Sequence, residues 1–564
     1  MQIIFNLFST KPKATLFEVD TIKLTSFQRL GNSKVVAGSE AAPKKLEVLH
    51  TPKTQDNNLL DLKQQPSSTA SSHSLHTILE YQRHQITTAQ QALAALGLSS
   101  STDASVLGEL SKQLAATALL NDDREATKAE VLKSKQLAKD LTNLIANALT
   151  RQGMPAKVAL CEAKAAFAQA RLKLLNSQDW QTIETKFKHG NHDYVSTLVP
   201  ASQMKLGKHD VFPVNYDNKG VCCASTKDTT HAANLWTSEI REDGGQVLYK
   251  GVRHAILSPY GLADSPKERQ QGTLNRAREV VTAALFSKPE ILQRALKGEE
   301  VSLRLTSSSL VTPGTGGEGK MLDDQITAWR TLSEQQQPIS MEVRNESGEL
   351  CTVKLNLEVA AFNFGVNEAA LKLKFGQEQS DKYNLVAMCQ LLGNNLSLDA
   401  KTEGWVGEYL KDNPNNQARV QELVRQLKAI WADKSHHRDD GEPYKAAQRV
   451  AMLAFEIGAV SCFNCKSSKD RTGMLDAELK REAIAQHQGR GLNQPGSPLE
   501  DVDRSLLQQV LMNGGNLEIQ KYNTGAPGNK VMKSLPFMNL SYAKRIGNPE
   551  VWMQTQGLSS IVKS

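Results

Sequence analysis

A cysteine and an arginine are separated by five residues in the stretch Cys465 to Thr472, which reads Cys-Lys-Ser-Ser-Lys-Asp-Arg-Thr. A loop of this length in front of a helix can turn its backbone N–H groups inward, where they and the helix dipole stabilise an anion. The same field lowers the pKa of a thiol, so Cys465 is a candidate nucleophile. The guanidinium of Arg471 can hold two phosphate oxygens, and the Thr472 hydroxyl can donate to the sulfur. The pattern predicts phosphoryl transfer through a cysteine.

The elements on either side of this loop must hold it rigidly. Residues 460–464 carry the β-branched and aromatic side chains typical of a strand. From Thr472 onward the apolar residues recur with a helical period, at Met474, Leu475, Leu479, Ala483 and Ile484. Upstream, residues 443–457 read as a helix that leads the chain into the strand. A strand, a tight loop and a helix are therefore predicted here.

The cysteines allow more than one interpretation. A bare Cys-x5-Arg spacing also arises by chance, and the alternative is a buried cysteine beside a surface arginine. Seven cysteines in 564 residues argue against a disulfide scaffold and indicate a reducing site of action. Cys462 and Cys465 have a C-x-x-C outline, but no second pair completes a zinc site. We interpret Cys462 as a buried strand residue, with a resolving thiol for Cys465 as the alternative.

The loop from Cys465 to Thr472 resembles the catalytic loop of inositol polyphosphate 4-phosphatases and of the SopB/SigD/IpgD family of type III secretion effectors. Residues 361–368 (Ala-Phe-Asn-Phe-Gly-Val-Asn-Glu) are similar to an upstream motif of the family, and the segment from Gly515 to Lys533 resembles its C-terminal part. Such stretches are spread through most of residues 190–564. The chain departs from the pattern at Ser468, where the effectors more often have glycine; a side chain there narrows the loop.

The loop residues can be given roles in this chemistry. We predict that Cys465 attacks phosphorus and forms a phosphocysteine, while Arg471 and the loop amides stabilise the equatorial oxygens. Asp470 is the predicted general acid, as in related lipid phosphatases with this loop. Asp439 or Asp440 is the competing choice, and a solvated turn acid is the plain alternative for all three.

Other side chains are predicted to contact the substrate. Lys466 and Lys469 would bind the additional phosphates of a multiply phosphorylated ring. The remaining predicted contacts are Ser467, Ser468 and Thr472 in the loop, Asn363 and Asn367 upstream, and Lys530 and Lys533 downstream. For the two asparagines a structural role in tight turns is an equal alternative, and for the two downstream lysines a solvated basic turn.

The chain divides into three regions by pattern. Residues 1–75 are rich in Ser, Thr, Lys, Gln and Pro and are predicted to be disordered. Residues 76–190 carry helical apolar stripes and predict a small all-α domain. Residues 191–564 mix helices with alternating strands such as 247–252 and 301–306, which predicts an α/β catalytic domain that contains the Cys-x5-Arg phosphatase loop.

Two further motifs do not fit their usual functions. Residues 314–321 (Gly-Thr-Gly-Gly-Glu-Gly-Lys-Met) nearly match the P-loop of nucleotide-binding proteins, but Met321 replaces the hydroxyl that binds magnesium and Glu318 lies among the turns. We interpret the stretch as a surface loop between a strand and a helix. Residues 437–439 (His-Arg-Asp) match part of the kinase catalytic loop, but the sequence has no other kinase motif, so we reject a kinase function.

The resemblance and the composition together define the predicted function. A net charge of +7 favours anionic partners but is far from a nucleic-acid-binding composition. The resemblance implies a type III secreted effector that acts in the host cytoplasm and at the inner face of host membranes. Its implied substrates are phosphoinositide lipids, above all the 4-phosphate of phosphatidylinositol 4,5-bisphosphate, and inositol polyphosphates, with no cofactor and no metal.

The resemblance also implies partners. A secretion chaperone would bind the leader, and a host Rho-family GTPase would bind the helical region. Two alternatives remain at this point: a protein tyrosine phosphatase that uses the same loop, and a GTPase-binding module with a vestigial catalytic half.

Overall fold

The computed structural model describes residues 74–118, 124–225, 228–259, 265–314, 317–367, 371, 373–414, 417–438, 442–532 and 542–559. The predicted leader, except for its last two residues, therefore lies outside the described residues, as do Asp439, Asp440 and Lys533. Within the part that is described, no helix combines the length and the apolar character needed to cross a bilayer.

Within the described residues, ten strands form one large sheet and one small hairpin. The large sheet has eight strands in the order β1-β2-β5-β6-β10-β7-β9-β8, and β3 pairs only with β4. The strands are β1 Ile183–His189, β2 His192–Pro200, β3 Lys205–Leu206, β4 His209–Asp210, β5 Trp236–Glu242, β6 Val247–Ala255, β7 Glu300–Ser309, β8 Ile339–Arg344, β9 Leu350–Asn363 and β10 Val460–Cys465.

The helices lie before, between and after these strands. Four precede the sheet: α1 Leu75–Ala95, α2 Thr102–Ala118, α3 Lys128–Arg151 and α4 Ala156–Asn176. The others are α5 Pro266–Phe286, α6 Pro289–Leu296, α7 Glu318–Glu334, α8 Gln377–Leu392, α9 Gly404–Asp412, α10 Ala418–Ala432, α11 Lys445–Glu456, α12 Asp470–His487, α13 Asp501–Asn513, α14 Asn516–Thr524, α15 Tyr542–Ile546 and α16 Pro549–Gln556. Single 3-10 turns occur at Ala201–Gln203, Ser435–His437 and Lys530–Met532.

Strand β10 lies at the centre of the sheet. It pairs in parallel with β6 on one side and with β7 on the other, and β7 pairs in parallel with β9. All six residues of β10 are buried, as expected for a parallel strand covered on both faces. The carboxyl ends of these four strands meet at one edge of the sheet, so the loop after Cys465 begins there.

The two faces of β10 belong to different parts of the core. Phe463 and Cys465 pack into a cluster with helices α11 and α12, whereas Val460 and Cys462 pack into the cluster on the opposite face, with α5 and the start of β7. Successive side chains of a strand point to opposite faces, so Cys462 and Cys465 face apart. Cys462 is a buried core residue, and the alternative of a resolving thiol for Cys465 is wrong.

The helical region packs against the C-terminal part of the chain. Ile78 and Tyr81 of α1 share a buried cluster with Ala526 and Leu558, and Glu80 forms an ion pair of 2.9 Å with Lys521. Strand β1 already belongs to the large sheet, although the predicted boundary at residue 190 groups it with the helices. The division into three domains stays a prediction.

Candidate active site

The loop after β10 holds its carbonyl groups outward. The amide of Ile256 donates to the Lys466 carbonyl at 3.3 Å, Asn234 Nδ2 to the Ser467 carbonyl at 2.9 Å, and Arg253 Nη2 to the Ser468 carbonyl at 2.8 Å. Because these three successive carbonyl groups accept hydrogen bonds from residues outside the loop, the N–H groups of the loop turn toward its centre. The loop then leads directly into helix α12, whose N-terminus adds its dipole, so the predicted anion cradle has the expected form.

The side chains that hold these carbonyls are themselves fixed. Arg253 is fully buried on β6, and its Nη1 donates to Asn516 Oδ1 at 2.5 Å and lies 3.6 Å from Asp476. Asn234 Oδ1 accepts from Trp236 Nε1 at 2.7 Å and from Asn523 Nδ2 at 2.9 Å. Helix α14, through Asn516 and Asn523, thus fixes the two side chains that bond the loop carbonyls. The sequence analysis did not identify Arg253 or Asn234.

The thiol of Cys465 lies at the centre of the cradle. Burial alone would raise its pKa, but the charge of Arg471, the hydroxyl and amide of Thr472 and the amide of Ser467 outweigh burial and lower the pKa below that of an ordinary thiol. By contrast, burial raises the pKa of Cys462 to about 12. The surroundings of Cys465 thus shift its pKa in the direction that favours the thiolate, whereas those of Cys462 shift its pKa the opposite way.

Arg471 is held by an acid from another segment. Its Nη2 lies 2.7 Å from Glu318 Oε1 and its Nη1 3.1 Å from Glu318 Oε2, while Nη1 also donates to the Leu310 carbonyl at 2.9 Å. Glu318 Oε2 accepts from the Thr312 amide at 2.8 Å, which fixes the carboxylate. The charges of Cys465 and Glu318 outweigh burial and raise the pKa of Arg471, so it stays a cation.

The sequence analysis gave Glu318 no role in the site, since it treated this acid only as a departure from the P-loop pattern. The stretch 314–321 was interpreted as a surface loop because an acid is out of place in a nucleotide-binding loop. In the structure Glu318 begins helix α7 and is largely buried against Arg471. The signal was present in the sequence as an acid that interrupts a glycine-rich turn after a buried strand, but only the sheet order brings that turn to the loop.

Asp470 occupies the first position of helix α12. Its Oδ1 accepts from the backbone amide of Lys530 at 2.9 Å, its carbonyl accepts from Asn529 Nδ2 at 3.2 Å, and the Lys469 ammonium lies 3.8 Å from Oδ2. The structure therefore brings Asp470 and Lys530 together, from positions 60 residues apart. The competing acids Asp439 and Asp440 lie outside the described residues, so the choice of general acid stays a prediction.

The two lysines of the loop differ in burial. Lys469 is almost completely buried; burial disfavours its charge, but Asp470 and the thiols of Cys223 and Cys465 outweigh burial and raise its pKa. Lys466 is half-buried. Lys469 is thus a buried cation beside Asp470.

The serines of the loop have different roles. The Ser467 amide faces the sulfur, as described above. Ser468 has φ of +53°, in the left-handed region that favours glycine, and its buried hydroxyl makes no hydrogen bond with the described residues. Glycine would adopt this backbone conformation without the strain that a Cβ brings.

The upstream asparagines are placed differently from each other. Asn363 is fully buried at the end of β9: its Nδ2 donates to the carbonyls of Ser309 and Val311, and its Oδ1 accepts from Ser380. These hydrogen bonds favour the structural alternative for Asn363, in which it joins the ends of β7 and β9, and contact with substrate stays a prediction. The backbone amide of Asn367 donates to Thr312 Oγ1 at 3.3 Å. The backbone amide of Thr312 in turn donates to Glu318, so Thr312 links Asn367 to Glu318.

Two groups of side chains in the described part of the chain have ligand atoms close enough together for a metal ion. One contains His192, Glu242 and His487, and the other contains Asp381, His436 and His437. Neither group includes a residue of the loop. In the second group the ammonium of Lys434 lies 3.0 Å from Asp381 and would compete with a metal for the carboxylate.

Comparison with known proteins identifies the family of this chain. The family model described as enterobacterial virulence protein IpgD matches residues 10–562. The chain belongs to the IpgD family. Its relatives include inositol phosphate phosphatase SopB of Salmonella typhi, 47% identical over 542 residues that cover 95% of this chain and 94% of the relative. Inositol phosphate phosphatase IpgD of Shigella flexneri is 45% identical over 393 residues, 69% of this chain and 73% of the relative.

This membership confirms the family resemblance stated from the loop and its companion stretches. Among solved structures, the Legionella phosphoinositide phosphatase SidF has a TM-score of 0.57 and 10% identity, and the match covers 87% of this chain and 91% of SidF. At that identity the likeness concerns the fold alone, and it confirms the predicted mixed α/β architecture around a large sheet. This member of the IpgD family therefore carries its Cys-x5-Arg loop at the sheet edge where parallel strands end.

Proposed function

We propose that this IpgD-family protein is a phosphatase that removes phosphate from inositol rings through a phosphocysteine on Cys465. The observation that carries the proposal is the buried Cys465 thiol, whose pKa is lowered by Arg471, Thr472 and inward amides. The names of its relatives, inositol phosphate phosphatases SopB and IpgD, support the substrate class.

The first chemical step is attack of the Cys465 thiolate on phosphorus. The S–P bond forms as the bond from phosphorus to the inositol oxygen breaks, and Asp470 gives its proton to the departing oxygen. Negative charge spreads over the three equatorial oxygens in the transition state, where Arg471 and the loop amides bind it. Glu318 holds the plane of the Arg471 guanidinium, so the arginine meets the phosphate already oriented.

The second step is hydrolysis of the phosphocysteine. Asp470, now a carboxylate, takes a proton from a water molecule that attacks phosphorus; the S–P bond breaks, inorganic phosphate leaves and the thiolate is restored. Asp470 is held for this exchange by the Lys530 amide. The same group thus serves as acid and then as base.

Cations around the loop favour a ring with several phosphates. Lys469 lies beside Asp470, Lys466 lies at the half-buried part of the loop, and the main chain of Lys530 reaches Asp470. We infer that the preferred lipid is phosphatidylinositol 4,5-bisphosphate, that the 4-phosphate is removed to give phosphatidylinositol 5-phosphate, and that soluble inositol polyphosphates are further substrates.

Membership in a family of enterobacterial virulence proteins supports delivery into the host cell. We infer that the protein acts in the host cytoplasm at the inner face of host membranes. A type III secretion chaperone that binds the leader and a host Rho-family GTPase that binds the helical region complete the proposal.

The test is phosphate release from vesicles that contain phosphatidylinositol 4,5-bisphosphate, measured for the purified protein and for Cys465→Ser, with reductant. The proposal predicts that release is lost in the variant and that the lipid product keeps its 5-phosphate. A product that keeps the 4-phosphate instead would overturn the regiochemistry. Release from tyrosine phosphopeptides but not from any inositol phosphate would favour the tyrosine phosphatase alternative.

A further inference from the structure

Two large apolar side chains stand exposed just before helix α8. Leu373 is 54% exposed and Phe375 is 51% exposed, and they lie on either side of Lys374, which adopts φ of +58° in a tight turn. Proteins often expose single hydrophobic residues, but a leucine and a phenylalanine exposed on the same turn form a small apolar patch whose contact with water is unfavourable in free energy. We call Leu373, Lys374 and Phe375 the apolar turn.

The apolar turn is tied to the active site through a short chain of contacts. Gly376 follows it and packs so closely on Pro313 that a Cβ at Gly376 would collide with the Pro313 carbonyl. The neighbouring residue Thr312 donates its amide to Glu318, and Glu318 binds Arg471. The apolar turn is therefore linked, through Pro313, Thr312 and Glu318, to the side chain that holds Arg471.

The charges around the apolar turn are mainly basic. Lys374 is exposed within it, Lys320 is exposed in the first turn of α7, and Arg438 is exposed in the segment that Gln377 contacts. Two of the nearby acids are paired with cations: Glu378 lies 2.9 Å from Lys382, and Asp381 lies 3.0 Å from Lys434. A third, Asp323, accepts hydrogen bonds from Gln379 and Tyr383. An apolar tip with basic side chains around it is the composition that binds the interface of an anionic bilayer.

We propose that Leu373 and Phe375 insert into the surface of an anionic membrane and so bring the Cys465 loop to lipid headgroups. The inference rests on the proposed function, because only a lipid substrate requires the loop to approach a bilayer. The patch is far smaller than the surface of a stable protein–protein interface, whereas two inserted side chains are enough to contribute to membrane binding. Each inserted side chain contributes roughly tenfold to binding, and the basic residues make that binding weaken with salt.

The test compares two double variants of the full chain. Leu373→Ser with Phe375→Ser removes the apolar turn, and Val247→Ser with Leu350→Ser removes two exposed hydrophobic residues from the starts of β6 and β9, at the opposite edge of the sheet. Binding is measured by sedimentation with phosphatidylcholine vesicles that contain phosphatidylserine, with and without phosphatidylinositol 4,5-bisphosphate. Phosphate release is measured from those vesicles and from a soluble inositol polyphosphate.

We expect the first variant to lose at least tenfold in vesicle binding and in release from vesicles, with release from the soluble substrate unchanged within twofold. The control should match the native protein in every assay. Unchanged vesicle binding in the first variant would overturn the inference, as would an equal loss on both substrates. If no protein hydrolyses any substrate, the proposed function fails, but the binding measurement still decides the inference.

A single substitution provides a second measurement that does not depend on loss of function. Phe375→Trp places an indole at the apolar turn, and Leu350→Trp places one at the opposite edge. With vesicles that carry brominated acyl chains, the inference predicts added fluorescence quenching for Phe375→Trp relative to Leu350→Trp. Equal quenching in the two variants would contradict insertion.

Discussion

The guanidinium of Arg471 and the carboxylate of Glu318 form a two-pronged ion pair, with N–O distances of 2.7 and 3.1 Å. Two parallel contacts fix the plane of the guanidinium as well as its position. Because Glu318 begins helix α7 and is itself bonded to the Thr312 amide, the orientation of Arg471 depends on the segment between β7 and α7. The arginine of the loop is thus preoriented by an acid that lies 153 residues upstream.

Replacement of Glu318 by glutamine should lower kcat about tenfold with a smaller change in KM. The amide keeps one oxygen acceptor but loses the charge and the second prong, so Arg471 samples orientations that do not match the transition state. Steady-state kinetics on a soluble inositol phosphate measures the effect. Glu358→Gln, which breaks an exposed ion pair with Arg304, is the matched control and should leave both constants unchanged. A Glu318→Gln enzyme with native kcat would show that the ion pair does not orient Arg471.

The reactivity of Cys465 toward iodoacetamide should depend on Thr472. A lowered thiol pKa means that the thiolate is present at pH values below those at which an ordinary cysteine ionises. Thr472→Val removes the hydroxyl, so the midpoint of the alkylation profile should move to higher pH, whereas Thr472→Ser should keep it near the native position. Peptide mapping separates Cys465 from the exposed Cys161. A midpoint that is the same in all three proteins would refute the role of the hydroxyl.

Glycine should replace Ser468 without loss. The left-handed conformation at φ of +53° costs a residue with a Cβ roughly 1–2 kcal/mol. Glycine avoids this cost, which offsets the greater chain entropy that glycine loses on folding. The buried Ser468 hydroxyl has no hydrogen-bond partner among the described residues, so its removal breaks no hydrogen bond there. We expect Ser468→Gly to keep its activity within twofold and its melting temperature within a few degrees. Ser468→Val, with a β-branched side chain, should lose more than tenfold in activity. Equal activity of the two variants would contradict the backbone conformation of the loop.

The general acid can be identified from leaving groups. Asp470→Asn should slow release from an inositol phosphate by roughly a hundredfold, because the alkoxide leaves poorly without a proton. Release from p-nitrophenyl phosphate should change much less, since nitrophenolate leaves unprotonated. Asp439→Asn and Asp440→Asn are the comparison. If either of these shows the selective loss and Asp470→Asn does not, the acid is in that segment.

A buried charge cluster in the second half of helix α12 should control stability. Glu482 is fully buried, 2.5 Å from Arg481 and 3.4 Å from Arg449; burial would raise its pKa, but the two arginines lower it to about 2. Glu482→Gln removes the carboxylate charge that these two buried arginines share and should reduce the free energy of unfolding by about 3 kcal/mol. Glu299→Gln, in an exposed pair with Arg294, should change it by less than about 1 kcal/mol.

The Glu482 contribution should also depend on pH. A carboxyl whose folded pKa lies below the ordinary value of 4.5 stabilises the fold above that value. The difference between the native protein and Glu482→Gln should therefore be full at neutral pH and shrink as the pH falls from 4.5 toward 2. Urea unfolding at several pH values measures it. A difference that is independent of pH across this range would show that charge is not the cause.

The sequence was sufficient for the local features of the site. The run of β-branched and aromatic residues at 460–464 predicts a strand, which the structure has at Val460–Cys465. The helical period of apolar residues after Thr472 predicts a helix, which the structure has at Asp470–His487. The helix expected at 443–457 spans Lys445–Glu456.

What the sequence did not predict depends on which strands are neighbours. Glu318, Arg253 and Asn234 are distant from the loop along the chain and reach it only because β6, β10 and β7 are adjacent. For Asn363 the sequence left substrate contact and a structural role open as equal alternatives, and the pairing of β9 with β7, which buries it among carbonyls, favours the second. A periodic pattern identifies an element but not its neighbours, so such long-range contacts were not accessible.

The most direct test of the account is to trap the covalent intermediate. A substrate with labelled phosphate is mixed with the native protein, the reaction is quenched with acid during turnover, and the labelled peptide is sequenced by mass spectrometry. The account predicts phosphate bound to Cys465 in the native protein and no label in Cys465→Ser. Turnover without any labelled enzyme, or a label on another residue, would contradict nucleophilic attack by Cys465.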